Sequence, residues 1–269
     1  MDEHRNLPDV DRFSVVMAMI LIAYSLTAVI SFPAKSLSIQ LPGFLLVFDL
    51  NFVTIISILV AALATAGCDW LISDHPYFDK KNRWRHWFLP ALTALVIGVP
   101  LNVLEVSPAW WGVFALGGLL IAGVILSEYI SVDPGDIRSP LAIISLTAVS
   151  LALFLTLAIA LRGSGTRLYL VIAALIPAGF LVSARSLMLR TGENAINHWA
   201  IGISIGIINV AAGLFYLPLK PIPHGLVLTG LLFALVILAG NYEERRSEQG
   251  LWLEPLLIAI LFCLLPILL

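Results

Sequence analysis

The chain has 269 residues, of which 60% are hydrophobic and 12% are charged, and its formal net charge is −2. Soluble domains carry about 25% charged residues, so this composition excludes an ordinary soluble globular protein. The slightly acidic balance also gives no basis for nucleic-acid binding. Apolar runs of about 20 residues, the length that crosses a bilayer, recur along the chain. We therefore expect a single polytopic transmembrane domain over residues 1–269, with the lipid bilayer as its main partner.

Nine apolar runs predict an all-α bundle of eight or nine transmembrane helices. The first run, Phe13 to Phe32, is interpreted as a retained membrane helix and not a signal peptide, because four acids precede it and no cleavage site of small residues follows. The other eight runs are Leu50 to Gly67, Trp87 to Leu104, Ala109 to Ile130, Leu141 to Leu161, Leu168 to Leu189, Trp199 to Leu217, Gly225 to Asn241 and Leu251 to Leu269.

The segment before the second run has a different pattern. Residues Leu37 to Leu41 alternate apolar and polar side chains, Pro42-Gly43 suits a type II turn, and a second apolar stretch follows from Phe44. We expect a small extracytoplasmic β-hairpin here. The alternative is that residues 36–50 extend the second helix towards its N-terminus.

Orientation follows from the distribution of Lys and Arg between the connecting segments. With nine spans and the N-terminus inside, eleven of the fifteen Lys and Arg residues lie on the cytoplasmic side, as the positive-inside rule requires. The densest group, Lys80, Lys81, Arg83 and Arg85, belongs to the large polar loop 68–86. We therefore predict a protein of the inner (plasma) membrane with a cytoplasmic N-terminus and an extracytoplasmic C-terminus.

Ionisable residues near the cytoplasmic ends of the helices form the candidate site, because charge in hydrocarbon is costly and usually marks function or pairing. The candidate polar cluster is Asp69, Asp74, His75, His86, Glu128, Asp133, Arg185, His198 and Glu243. We expect the loop, Glu128 and Arg185 to form one electrostatically coupled group. A pairing of Glu128 with Arg185 or His86 would then leave Asp69 and Asp74 free to bind a cation or a basic headgroup. The acids and histidines lack metal-ligand spacing, so no metal is expected, and no catalytic residue or cofactor is assigned.

Two helices carry stripes of small and polar residues. The seventh run places His198, Gly202, Gly206, Asn209 and Gly213 on one face, and the second run does the same with Asn51, Thr54, Ser57, Ala61, Thr65 and Cys68. Such stripes are typical of close helix packing, and we expect both to face the interior of the bundle. The stripe of the seventh run could also form the wall of a polar cavity that opens at His198.

Three segments resemble the recurring blocks of an uncharacterised bacterial family of polytopic membrane proteins. They are Gly67 to Pro76, His86 to Ala94 and Ser127 to Asp133. The resemblance implies an integral membrane protein and adds weight to Asp69, Asp74, His75, His86, Glu128 and Asp133. It implies no mechanism, because no activity is attached to that family.

Two classes of function stay open at this point. The first is a non-enzymatic binding, transport-like or assembly role with a polar site that faces the cytoplasm, and its ligand would be a lipid or another small molecule. The alternative is a membrane enzyme that acts on a lipid or isoprenoid diphosphate headgroup. Asp69, Asp74 and Asp79 partly resemble the Asp-rich loops of membrane prenyltransferases, although their spacing is five residues where that family has four. The sequence assigns no oligomeric state.

Overall fold

The computed structural model describes residues 8–30, 35–41, 44–50, 52–78, 80–191, 197–244 and 248–268. Within these residues there are nine α-helices, two β-strands and one 3-10 helix of residues Lys80–His86. The α-helices are α1 (Val10–Val29), α2 (Phe52–Ile72), α3 (Phe88–Val103), α4 (Pro108–Ile130), α5 (Ser139–Gly163), α6 (Leu168–Thr191), α7 (Asn197–Phe215), α8 (Pro221–Glu243) and α9 (Glu248–Leu268).

The predicted all-α membrane architecture is confirmed, and each of the nine apolar runs contains one helix. In the described part of the chain, eight helices are long and apolar enough to cross a membrane. The described apolar part of α9, Leu251–Leu265, is shorter than the other eight. The protein is therefore a multi-pass membrane protein.

One helix end differs from the prediction in a way that changes the site. Helix α2 continues to Ile72, five residues past the predicted end at Gly67. It continues because Leu71 and Ile72 are buried in the core, at 2% and 0% exposure, so apolar packing extends the helix through an acidic residue. Asp69 therefore lies on the last turn of a helix and not in a loop.

The segment before α2 pairs as two antiparallel strands, β1 (Lys35–Leu41) and β2 (Phe44–Leu50). Lys35 lies opposite Leu50, and Leu41 lies opposite Phe44. Because α2 begins at Phe52, residues 44–50 do not extend that helix. The Pro42-Gly43 turn lies outside the described residues, and the extracytoplasmic location of this hairpin stays a prediction.

The chain divides into two compact units, residues 1–136 and 137–269. In the first unit, α1 to α4 share a core that includes Ile20, Val60, Ile72 and Ile125. Glycines let these helices approach closely. A Cβ added to Gly67 of α2 would lie 2.3 Å from a methyl carbon of Val16 in α1.

The second unit, residues 137–269, contains α5 to α9. Its largest fully buried side chains include Phe154 of α5, Leu175 of α6, Ile207 of α7 and Leu228 of α8. Helix α9 packs on α8 at Gly230, where an added Cβ would lie 2.0 Å from Cβ of Phe262. The rest of α9 exposes Leu256, Leu257 and neighbouring apolar side chains, as expected of a helix in lipid.

Candidate functional site

Asp69 is held by two side chains, Arg83 from the polar loop and Trp87 directly after it. Its carboxylate accepts hydrogen bonds from Nε of Arg83 at 3.0 Å, from Nη2 of Arg83, and from the indole Nε1 of Trp87 at 3.0 Å. The two bonds from Arg83 have the bidentate geometry that makes arginine–carboxylate pairs strong. The side chain of Asp69 is 17% exposed and that of Arg83 is 50% exposed, so the pair lies at the protein surface.

The 3-10 helix Lys80–His86 explains how two ion pairs form from one short segment. Residues three apart in a 3-10 helix lie on the same side, and Arg83 and His86 have this spacing. Arg83 reaches Asp69 of α2, and His86 reaches Glu128 of α4. The segment therefore ties together the ends of two helices in the first unit.

Glu128 and His86 form a buried pair of an acid and a histidine. Oε2 of Glu128 lies 2.7 Å from Nδ1 of His86, and the carboxylate side chain is 0% exposed. Removing one member would leave the other buried without this hydrogen bond. This is one of the two pairings predicted for Glu128.

Asp74 also has a partner, which comes from α1. Its carboxylate forms an ion pair with Arg12, and the same guanidinium lies 5.1 Å from the ring centroid of Trp70 and 3.6 Å from Asp9. The expectation that Asp69 and Asp74 have no protein partner was therefore wrong, because Arg83 and Arg12 form ion pairs with them. Arg12 is 62 positions before Asp74 in the sequence, so no local spacing pointed to this contact.

His75 is buried at 5% exposure beside the loop. Its Nδ1 accepts a hydrogen bond from the backbone N–H of Tyr77 at 3.3 Å, and its ring meets Tyr129 edge to face at 4.9 Å. Burial lowers the pKa of His75, and the negative charges of Asp133 and Asp136 partly oppose that effect. The accepted hydrogen bond places the single proton of the neutral ring on Nε2.

Asp133 has a local structural role as well. Its Oδ1 accepts a hydrogen bond from the backbone N–H of Gly135 at 2.8 Å, which closes the turn after α4. The first unit therefore brings together Asp69, Asp74, His75, His86, Glu128 and Asp133, the six cluster residues that lie in residues 1–136.

An open cavity of about 440 Å³ lies beside the Asp69–Arg83 pair, between α2 and α3. Its walls are almost entirely small apolar residues, with Asp69 and Trp87 at one end. The lining residues are Ala61, Ala62, Thr65, Ala66, Asp69, Trp87 and Ala91. We call this feature the α2–α3 groove. The hydroxyl of Thr65 is bonded to the carbonyl of Ala61 at 2.7 Å, so the groove has little free polarity away from its charged end.

The second unit holds the other three cluster residues. Arg185 is buried at 3% exposure within α6, and its coupling to Glu128 stays a prediction. His198 is exposed at the start of α7. Glu243, at the end of α8, is also exposed and accepts a hydrogen bond from Nε1 of Trp199 at 2.7 Å.

Sequence reasoning missed an ion pair of the second unit, between Arg190 of α6 and Glu244 after α8. Arg190 donates from Nε to Glu244 at 2.6 Å and from Nη2 to Glu244 at 3.0 Å and to Asn241 at 2.6 Å. Gly240 makes room for it, since an added Cβ there would lie 2.7 Å from Nη1 of Arg190. The available signal was that Arg190 ends one apolar run and Glu244 follows another.

The stripe on α7 does not have the predicted position. Gly202, Asn209 and Gly213 lie on an exposed face of α7, and among the described residues no atom lies within 4 Å of a Cβ added at Gly202 or Gly213. Gly206 is half-buried beside Leu235. Bulkier side chains fill the unit instead, because the buried face of α7 carries Ala200, Ile203, Ile207 and Ala211. The expectation that this stripe faces the interior was therefore wrong.

The stripe on α2 does have the predicted position. Ser57, Ala61 and Cys68 are buried in the first unit. A Cβ added to Gly98 of α3 would lie 2.1 Å from Oγ of Ser57, so a glycine on the neighbouring helix accommodates this stripe. Asn51 lies outside the described residues.

Comparison with known proteins places this chain in a family of unknown function. A family model described as "Protein of unknown function (DUF5656)" matches residues 32–269. The chain belongs to this family. The match covers every described element after α1 and agrees with the resemblance seen in the sequence. No curated protein and no solved structure matches the chain.

The described residues contain no group of three or more His, Cys, Asp or Glu side chains that is placed to hold a metal ion.

Proposed function

We propose that this protein has a non-enzymatic role in the membrane, in which it binds a ligand at a polar site on its cytoplasmic side. The observation that carries the proposal is the state of the three acids Asp69, Asp74 and Glu128. Each of them is paired with a basic side chain of the same unit. Enzymes that act on diphosphates through Mg²⁺ need carboxylate oxygens that converge on the metal, and acids in separate ion pairs do not supply such a set.

The same contacts support binding. Arg83 is half exposed although it is paired, and its partner Asp69 lines the charged end of the α2–α3 groove. A guanidinium has five N–H donors in a planar fork, and the bonds to Asp69 use two of them. A partly exposed arginine that is bonded to a carboxylate lining an apolar groove is suited to hold a molecule with a polar and an apolar end.

Transport across the membrane has less support than binding. A transporter should show a polar path that crosses the midplane through Asn209 and Asn51, and Asn51 lies outside the described residues. Asn209 is exposed and donates its amide N–H to the carbonyl of Ile205 in its own helix at 2.7 Å. This contact uses one amide N–H within the helix itself, so we favour a binding or assembly role over a transport-like one.

The enzyme alternative can be tested directly. The full chain is reconstituted in proteoliposomes with Mg²⁺ and an isoprenoid diphosphate, and phosphorus NMR follows the phosphate signals. We expect the spectrum to stay unchanged and to match that of the Asp69→Asn variant. A new phosphorus signal that forms with the wild type and is lost in Asp69→Asn would contradict the proposal and support a membrane enzyme.

A further inference from the structure

We propose that the α2–α3 groove binds one phospholipid whose headgroup carries a phosphate and a primary ammonium, as phosphatidylethanolamine does. One acyl chain lies in the groove, the phosphate contacts Arg83 and the ammonium contacts Asp69. This inference rests on the binding role proposed above and names the ligand of that site.

The walls of the groove fit an acyl chain. Four alanines and a threonine leave space where larger side chains would close it, and Ala62 and Ala66 are exposed. From Ala61 to Asp69 the groove follows eight residues of α2, a length of about 12 Å at 1.5 Å per residue. An exposed apolar groove on a membrane-spanning helix lies where lipid chains are the surrounding solvent.

Trp87 sets the depth of the headgroup. Its ring lines the groove, while its indole N–H donates to Oδ1 of Asp69 at 3.0 Å. Tryptophan prefers the boundary between headgroups and hydrocarbon because one part of its ring system is polar and the rest is apolar. The charged end of the groove is therefore at the level of the phosphates, and the alanines are at the level of the chains.

The hydrogen-bonding capacity of the ion pair selects the headgroup. Arg83 uses two of its five donors on Asp69, and the remaining donors suit phosphate oxygens. Asp69 accepts three hydrogen bonds out of roughly four that a carboxylate can accept, which leaves one for an ammonium N–H.

Charge balance points to the same headgroup. The Asp69–Arg83 pair has no net charge, and a headgroup with one phosphate and one ammonium has none either. Each charge of the headgroup therefore pairs with one opposite charge of the protein. A quaternary ammonium, as in phosphatidylcholine, has no N–H to donate to Asp69. An anionic headgroup would place its extra negative charge beside a carboxylate.

Native mass spectrometry of the full chain tests this proposal. The delipidated protein is titrated separately with phosphatidylethanolamine, phosphatidylcholine and phosphatidylglycerol. We expect one tightly bound phosphatidylethanolamine, with an affinity about tenfold or more above the other two lipids.

Two variants separate the groove from the headgroup site. Ala62→Leu with Ala66→Leu fills the groove and should weaken binding about tenfold, whereas Ala115→Leu, at an exposed position on α4, should bind as the wild type does. Asp69→Asn keeps the shape of the site and should remove the preference for phosphatidylethanolamine over phosphatidylcholine. Equal melting temperatures of the groove variant and Ala115→Leu would show that both are folded.

Two results would overturn the proposal. One is that the groove variant binds phosphatidylethanolamine as tightly as the wild type does, which would show that the lipid binds outside the groove. The other is equal affinity of the wild type for phosphatidylethanolamine and either of the other lipids. The outcome of the phosphorus NMR experiment does not depend on either result. The lipid assignment can therefore be wrong while the non-enzymatic role is right. If the groove variant does not fold, the Asp69→Asn variant tests the proposal by itself. A preference for phosphatidylethanolamine over phosphatidylcholine that persists in Asp69→Asn would then overturn it.

Discussion

Helices α2 and α7 each carry a stripe of small and polar residues, but α2 buries its stripe and α7 exposes most of its own. On α2 the small and polar side chains are buried, and Ser57 fits against Gly98 of α3. On α7 the glycines at 202 and 213 are exposed, with no described atom within 4 Å of an added Cβ. The difference teaches that a small-residue stripe produces close packing only where a neighbouring helix offers a matching gap.

The ionisable residues of the two units also differ in burial. In residues 1–136, Glu128 and His75 are buried and have partners. In residues 137–269, His198 and Glu243 are exposed. Substitutions at Glu128 and His75 should therefore reduce stability more than substitutions at His198 and Glu243, whereas Arg185 of the second unit is buried and belongs with the first group.

The largest loss is expected for Glu128→Ala. The carboxylate is fully buried against His86, and removing one member of a buried pair costs about 3 kcal/mol of unfolding free energy. Unfolding with SDS in mixed micelles measures it, and Glu105→Ala, at an exposed position, is the control. Equal stability of the two variants would show that the pair contributes nothing to the fold.

Gly98→Ala should give the next largest loss, about 1 to 3 kcal/mol, because the new methyl group would overlap Ser57. The same unfolding assay applies. Gly123→Ala is the matched control, since an added Cβ meets no described atom within 4 Å there, and Ser57→Gly should rescue Gly98→Ala. A loss that Ser57→Gly does not relieve would place the strain elsewhere.

The fold was largely predictable from sequence, because span length and apolar content depend only on bilayer thickness. The end of α2 was not, since the burial of Leu71 and Ile72 depends on the neighbouring helices. The Glu128–His86 pair was foreseeable because a buried acid needs a partner. Arg12 and Arg190 were missed because their partners, Asp74 and Glu244, are 62 and 54 positions away. The exposure of the α7 stripe was missed because a pattern of glycines does not say whether a neighbour exists.

A smaller effect is expected from pH. Burial lowers the pKa of His75 below its usual value of 6.5, so the unfolded chain takes up the proton at a higher pH than the folded protein does. Stability should be full above about pH 6.5 and should fall as the pH drops below that value. His75→Asn keeps an acceptor for the N–H of Tyr77 and should weaken this dependence, whereas His198→Asn, at an exposed position, should not. Unfolding midpoints between pH 7.5 and 5.5 measure it, and identical slopes for the wild type and His75→Asn would contradict it.

The smallest effect is expected for Gly202→Ala. Its added methyl group meets no described atom within 4 Å, and alanine is the better helix former by about 1 kcal/mol. We expect no loss of stability or a small gain in the same unfolding assay. A loss comparable to that of Gly98→Ala would mean that a partner covers this face of α7, and the contrast with α2 would disappear.

The proposed role depends most on the side of the membrane that the polar loop faces. Labelling single cysteines in intact cells with an impermeant thiol reagent measures this, in a Cys263→Ser background that keeps the buried Cys68. Tyr77 and Glu105 are exposed residues beyond opposite ends of the span Arg83–Val103. We predict that Tyr77→Cys reacts only after the cells are permeabilised and that Glu105→Cys reacts from outside. Labelling of Tyr77→Cys in intact cells, with Glu105→Cys protected, would contradict a cytoplasmic binding site.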